Sequence, residues 1–286
     1  MIKYDIMTTM SHTIERKRAA LEAAVRNDSR PYIMSGRRNS SVYHYPAMLE
    51  IRRDAKQEIS GMTNGAGNLL FAFSSAEFDI SYKDEAGSST TAKVHAAVIP
   101  GQTKYRIHAN GTLHLFSAVY GLTSGKIGRT IGYTKEYIQN HLESGKANKL
   151  VVPRHIYGEE LAYGGERVDS NQTKYVALGA ANQEFSAGNS NSPQNTHVHL
   201  NLVETYTTFS GMTLWYMTRG KVERMEVDSG ETVVVPRGVA HKVRMHGIEP
   251  TFVTMAGNEE IFGDKFVMPM DFEEIANAGM SKRVGL

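Results

Sequence analysis

The chain has 286 residues, 41% of them hydrophobic and 22% charged, enough for a sizeable core in one large domain or two of ordinary size. Its 32 basic and 30 acidic residues leave a formal charge of +2, so no overall field calls for nucleic acid or an anionic membrane. Zero cysteines exclude disulfides, thiolate nucleophiles and cysteine-ligated zinc or iron–sulfur centres, leaving histidine and carboxylate as the metal-binding chemistry.

No window is apolar for long enough to span a bilayer, and the polar opening M-I-K-Y-D-I-M-T-T-M lacks the core of a secretory signal, so a cytoplasmic protein is expected. Residues 11–28 are alanine-rich, with Ile14, Leu21 and Val25 on one stripe and Pro31 beyond the end, which predicts a helix. The stripe is narrow, so this helix should lie on another element or on a second subunit. A second helix is expected over Tyr45–Ile59, with Pro46 in its first turn and Gly61 past its end.

From Asn68 the pattern turns to β. The run L-L-F-A-F, the alternation Phe78, Ile80, Tyr82 and the segment Ala92–Ile99 read as separate strands. Lys104–Phe116 reads as a hairpin turning at Asn110-Gly111. Such a turn pairs His108 with Leu113 and His114 with Ile107, so the two imidazoles face opposite sides and cannot share an ion. Gly121–Gly132 carries four glycines and two bases but has no G-K-[ST] ending and no parallel-sheet context, so it reads as a mobile loop, a lid over a pocket, rather than as a phosphate site. Thr134–Ser144 reads as a short helix closed by Gly145, and the polar stretch from Gly164 to Gln172 as a boundary.

The chemistry concentrates in H-V-H-L-N-L-V-E-T-Y-T-T-F-S-G, His197 to Gly211. In a strand His197 and His199 point the same way. Glu204 lies an odd number of steps past His199, so a bend near Asn201 must restore the parity if the carboxylate is to join them. Further on, in Gly230-E-T-V-V-V-Pro236-R-Gly238-V-A-His241, Pro236 ends a strand and Gly238 permits a turn that carries His241 onto the next. Three imidazoles and one carboxylate form a borderline donor set, suited to one divalent transition metal ion (Fe, Mn, Ni, Co, Cu or Zn) and poor for Ca or Mg. By the same-face rule Tyr206 and Thr208 line the cavity behind Glu204, Val243 and Met245 line it behind His241, and one of Trp215 and Tyr216 points inward. The tail from Asp271 to Gly279 is expected to be a surface helix docked through Phe272 and Ile275.

The spacing H-x-H-x4-E-x6-G in His197, His199, Glu204 and Gly211 resembles the first cupin motif, and G-x5-P-x-G-x2-H in Gly230, Pro236, Gly238 and His241 resembles the second, with 18 residues between Gly211 and Gly230. Asn191 and Met245 depart from the family pattern at a glycine and an asparagine, neither of them a ligand. The resemblance covers roughly Tyr175–Val267. It implies a mainly β chain built on a cupin (jelly-roll) β-barrel, with His197, His199, Glu204 and His241 as metal ligands. Val151–Gly158 also resembles Val234–His241, with Gly158 where the ligand histidine would stand and His114 and Phe116 opposite His197 and His199. Two tandem barrels follow as the expectation, the first degenerate and without metal. The segments are then 1–62 (helical or extended), 63–165 (degenerate cupin-like) and 166–286 (metal-binding cupin).

An open-sited cation in such a barrel polarises a substrate oxygen or holds dioxygen beside a chelated substrate. The hydroxyl-rich lining favours an isomerase, epimerase or lyase acting on a small sugar-like or keto-acid substrate through a metal-stabilised enediolate, with Glu204 and Tyr206 as catalytic candidates. Tyr206 packed with its hydroxyl on a ligand carboxylate is the structural alternative. A cupin dioxygenase using Fe(II), Ni or Cu and a non-catalytic metal- or ligand-binding cupin are the functional alternatives. The expected partner is a small-molecule substrate, with neither nucleic acid nor membrane, and the resemblance implies a homodimer.

Overall fold

The computed structural model describes residues 15, 17–34, 39–44, 47–53, 56–63, 68–83, 87–119, 129–143, 149–151, 174–181, 195–258 and 265–278. Among the described residues no helix is long and apolar enough to cross a membrane. The first half carries strands β1 (Tyr32–Ile33), β2 (Ser40–His44), β3 (Ala47–Arg52), β4 (Gln57–Met62), β5 (Asn68–Lys83), β6 (Ser89–Pro100), β7 (Lys104–Ala109), β8 (Leu113–Val119), β9 (Ile131–Tyr133) and β10 (Lys149–Val151). The second carries β11 (Lys174–Ala181), β12 (His197–His199), β13 (Leu202–Thr208), β14 (Met212–Thr218), β15 (Lys221–Val227), β16 (Thr232–Val235), β17 (His241–Met245), β18 (Thr251–Asn258) and β19 (Lys265–Val267). Helices are α1 (17–26), α2 (Lys135–Glu143) and α3 (Phe272–Asn277).

In the second half the chain alternates between two antiparallel sheets, ordered β1-β16-β13-β18-β11-β10 and β15-β14-β17-β12-β19. The alternation of β11 to β18 between them is the double Greek key of a jelly roll, so the mainly β, cupin-type architecture expected from the motifs is present. Inward residues of one sheet, Glu204, Tyr206 and Val233, face those of the other, Leu214, Tyr216 and Val243. Tyr216 is thus the inward member of its pair, and Trp215 points outward. The strands β1 and β10 extend the first of these sheets from earlier parts of the chain.

The strands β2 to β9 hydrogen-bond into one further sheet, ordered β2-β3-β8-β5-β6-β9 with β4 and β7 alongside. The runs expected as separate strands around Phe73 and Phe78 form one 16-residue strand, β5, whose register against β6 breaks between those residues. This sheet covers the outer face of the β13–β18 pair, where Phe73 meets Phe252 at 4.9 Å. Buried threonines on that face satisfy one another: Thr207 bonds Thr232 at 2.8 Å, and Thr205 bonds Thr254. Paired hydroxyls let a polar strand face be buried without orphaned donors.

Two expectations are corrected. Tyr45–Ile59 is not a helix: Ala47, Leu49 and Ile51 are buried and alternate with exposed or half-buried neighbours on β3, and β4 follows. Lys104–Phe116 is not a hairpin. Strands β7 and β8 run end to end along one side of β5, β7 beside Phe78–Tyr82 and β8 beside Asn68–Phe73, without pairing to each other. His108 and His114 still share no ion, because His108 is exposed and His114 fully buried.

The helix α1 docks on the outer face of β14 and β17, but through Ala20 and Ala24, both 0% exposed; Leu21 and Val25 pack at its margin. Small side chains let the helix approach Trp215 and Met217 closely. The helix α3 docks beside it through Phe272, capped by Asp271, which accepts from the amides of Glu273 and Glu274 and pairs with Lys242. The glycine-rich stretch 121–128, most of the V-V-P-R repeat (152–158), the boundary 164–172 and the loop 188–194 lie outside the described residues.

Candidate metal centre

The strand β12 belongs to one sheet and β13 to the other, and the chain crosses between them at Leu200 and Asn201. That crossing is the bend the parity argument demands. It turns the Glu204 side chain into the space between the sheets, against the two histidines, and the carboxylate is 2% exposed. The ligand atoms of His197, His199 and Glu204 all lie within 4.8 Å of one another. Glu204 Oε2 is 3.5 Å from His197 Nε2 and 3.6 Å from His199 Nε2.

His241 stands beside this trio on β17, directly opposite His197 in register. Its ring centroid is 4.3 Å from that of His197, and its Nε2 lies 3.0 Å from Glu204 Oε2. The turn that delivers it needs Gly238, whose φ is +73° and whose N–H donates to the His199 carbonyl at 2.6 Å. One motif is thus tied to the other through the backbone. A side chain at Gly238 would also press on Asn27 Nδ2, at 2.7 Å from the position of its Cβ.

The tautomers follow from the backbone. His197 Nδ1 lies 2.7 Å from the Asn195 carbonyl, and His241 Nδ1 lies 3.0 Å from the Val239 carbonyl. A carbonyl only accepts, so each Nδ1 carries the proton and each Nε2 presents a lone pair toward the centre. In both cases the carbonyl belongs to the residue two before the histidine. Burial pushes the His197 imidazole down to about 3, with His241 and Lys265 adding to the shift, so at neutral pH its Nε2 is an unprotonated lone pair, with no hydrogen bond among the described residues. Burial alone would raise the Glu204 carboxyl, but its close contacts with the imidazoles of His197, His241 and His199 hold it well below the usual carboxylate range. An anion and several nitrogen lone pairs converging out of water leave a place for a cation. The donors suit a divalent transition metal ion.

Tyr206 is fully buried, with its hydroxyl 3.1 Å from His241 Nε2. Burial, then the Glu204 charge and hydrogen bond, raise its pKa well above 10, so the phenol keeps its proton and acts as a donor. Behind these four candidate ligands, Thr208, Val243 and Met245 line the interior as the same-face rule requires, and Met245 packs opposite Met212. Nothing local in the sequence announces Lys265. The strand β19 pairs with β12 so that Lys265 lies opposite His199 and Val267 opposite His197. That register joins residues 66 to 70 apart, and the one local signal is the short alternation K-F-V.

No protein-family model matches the chain, and no curated protein matches it. Solved structures do. Protein Ylba from E. coli, described under the family model DUF861, has a TM-score of 0.45 at 12% identity, over 81% of this chain and 84% of that one. Oxalate decarboxylase from Bacillus subtilis has a TM-score of 0.38 at 12% identity, over 90% and 85%. A further structure of that enzyme, concerned with its Mn(II) centres, gives 0.38 at 13% identity, over 90% and 86%. What those proteins bind and act on is their own. The class defined here by strand order and by the two motifs is a cupin-type jelly roll with a candidate metal centre.

Proposed function

We propose that the chain is a mononuclear metal-dependent cupin enzyme acting on a small oxygenated substrate, sugar-like or keto-acid, through isomerase, epimerase or lyase chemistry. One observation carries the reading: the imidazole Nε2 atoms of His197, His199 and His241 crowd a single oxygen of Glu204, inside the protein, with two of the rings locked by backbone carbonyls. In this reading those four residues hold one ion of Fe, Mn, Ni, Co, Cu or Zn, His241 completing the compact trio. When bound, the ion supplies Lewis-acid polarisation of a substrate oxygen.

The chain's own residues do the rest. Glu204 stays anionic and fixes the position of the imidazoles. Tyr206 retains its proton and can hand it to an oxygen or carbon of the substrate, returning it through the same hydroxyl. Met212, Leu214, Val243 and Met245 exclude water from the inner end, which strengthens every charge interaction at the centre. The test is metal content by mass spectrometry, followed by anaerobic assays of Zn- and Mn-loaded protein on hydroxy-aldehydes, uronates and 2-oxo acids. Turnover without dioxygen is the expected result. Substrate-dependent oxygen uptake would move the assignment to a dioxygenase, and full metal content without turnover on either class would leave a binding protein.

A further inference from the structure

Strand β12 carries two of the four candidate ligands on only three residues, and a strand that short has no stability of its own. On its β17 side it is fixed by one opposed pair, His197 with His241, and by the Gly238 N–H on the His199 carbonyl. The other side is held by the last elements of the chain. Three opposed pairs join β12 to β19, which has no other strand partner among the described residues. Just past β19 the Met268 N–H donates to the Thr196 carbonyl at 2.8 Å, and the Phe272 N–H donates to Thr196 Oγ1 at 3.1 Å. Thr196 is 3% exposed and immediately precedes His197, so the C-terminal segment grips the ligand strand at its root as well as along its length.

The same segment reaches the second ligand strand. Directly opposed residues of antiparallel strands project from the same face, so Val198 and Phe266 leave the ligand face together. They pack with Trp215, Ala240, Met268 and Phe272 on the outer side of the sheet, where Phe272 is 0% exposed. The helix α3 then pins itself to β17. Lys242, next in sequence to His241, places its Nζ 2.6 Å from Asp271 Oδ2 and 3.2 Å from Glu273 Oε2, and Arg244 pairs with Glu273. Six residues make too short a helix to persist without these contacts.

Two clamps thus act on one pair of strands. On the inner face the imidazoles of β12 and β17 converge on Glu204; on the outer face residues 265–277 run from β12 to β17. We propose that residues 265–277 are a strap coupled to the metal centre: docked, the strap seats His197 and His199 for the ion, and the bound ion in turn holds the strap down. The coupling rests on the metal-centre reading and adds a switch to it, because whatever lifts α3 from β17 also loosens the ligand strand. Linkage makes the effect the same in both directions.

The test is hydrogen exchange at the Met268 and Phe272 amides of the whole chain, with and without saturating Zn(II), beside Zn(II) affinity by competition with a chromophoric chelator. Zn(II) should slow both amides by at least about fivefold, the low end of coupling between linked sites. Phe272→Ala should speed exchange at the Met268 amide and weaken Zn(II) binding by at least about fivefold in turn. Leu113→Ala, at an equally buried position in the sheet of β2 to β9, should lower the melting temperature and leave Zn(II) affinity unchanged. Unchanged exchange at both amides in Zn(II)-saturated wild type would overturn the coupling, and so would wild-type Zn(II) affinity in a Phe272→Ala protein whose strap exchanges faster. Where Phe272→Ala does not fold or does not loosen the strap, exchange in the wild type decides alone. Failure of the centre reads differently: a wild type that takes up no Zn(II), or His197→Ala that binds it as tightly, overturns the metal-centre reading and the coupling with it.

Discussion

The two halves of the molecule each bury a histidine on a strand, and the two fates differ. His114 is 0% exposed and His197 is 1% exposed. Burial pushes both imidazoles down to about 3, with the Arg53 charge contributing at His114. By burial and basicity they are alike. Their surroundings are not: His114 stacks on Phe73 at 5.4 Å and meets the edge of Phe209 at 5.9 Å, with neither ring nitrogen hydrogen-bonded among the described residues. Two positions on, where the second half has His199, the first has Phe116, stacked on Phe71 at 5.7 Å. A buried imidazole among phenyl rings is a neutral, flat apolar group. It becomes a candidate ligand when a carbonyl fixes its tautomer and a carboxylate and further lone pairs converge on its other nitrogen.

The largest expected effect breaks that comparison on metal. His197→Ala or His241→Ala should weaken Zn(II) binding by at least about a hundredfold, beyond the 10–100-fold typical of residues that only support a ligand. His114→Ala should leave the dissociation constant unchanged while lowering the melting temperature. Competition with a chromophoric chelator measures both. Equal metal affinity in His197→Ala and wild type would return His197 to the same class as His114.

Acid should act on the first half through His114. Its folded-state pKa of about 3 lies below the unfolded value of roughly 6.5, so as pH falls the unfolded chain takes the proton first. Its neutral burial is therefore without penalty above pH 6.5, and stability is lost progressively between there and about pH 3. At roughly 1.4 kcal/mol per pH unit, the wild type should lose about 2 kcal/mol more than His114→Leu between pH 7 and pH 5. Urea denaturation at the two pH values reads the difference directly, and parallel losses would show that the imidazole titrates without resistance.

The second half was far more legible in the sequence than the first. There the site is written in short spacings: His197 and His199 by strand parity, Glu204 by the forced bend, His241 by a proline and a glycine. The first half depends on pairings the local sequence contradicts. Ala47-Met48-Leu49-Glu50-Ile51-Arg52 is made of good helix formers, and its period of two is imposed by β8, with Leu49 facing Phe116 and Ile51 facing His114. Asn110-Gly111 is a sound turn signal, but β5 is long enough to take β7 and β8 one after the other, which no local motif announces. Ala20 and Ala24 are silent in the sequence of α1 because a contact made by small residues leaves no hydrophobic stripe. Lys265 is silent in the local sequence because its place beside His199 comes from a partner strand far back in the chain.

Two glycines sharpen the comparison at smaller scale. Gly111 and Gly238 both have positive φ, +100° and +73°. Nothing lies within 4 Å of an added Cβ at Gly111, while at Gly238 that Cβ would meet the amide of Asn27, which holds the Arg237 carbonyl. Either alanine should cost roughly 1–2 kcal/mol for the left-handed backbone alone. Gly238→Ala should add a loss of metal affinity, because the turn it strains carries both the link to His199 and the approach of His241. Thermal melts of both variants, with and without Zn(II), separate the conformational cost from the ligand effect.

The smallest expected effect tests where the ligand set ends. Tyr206→Phe removes one buried hydroxyl, a hydrogen-bond donor to the Glu204 carboxylate, and leaves the ring to pack as before. The lost hydrogen bond is worth about 1 kcal/mol. His241 keeps its Nδ1–H on the Val239 carbonyl, so its tautomer and ring position survive the change. Metal affinity should therefore fall by about tenfold or less, at the low end for a supporting residue. A loss as deep as that of His241→Ala would place the phenol oxygen among the ligands, since a group that merely hydrogen-bonds a carboxylate already surrounded by three imidazoles has no route to so large an effect.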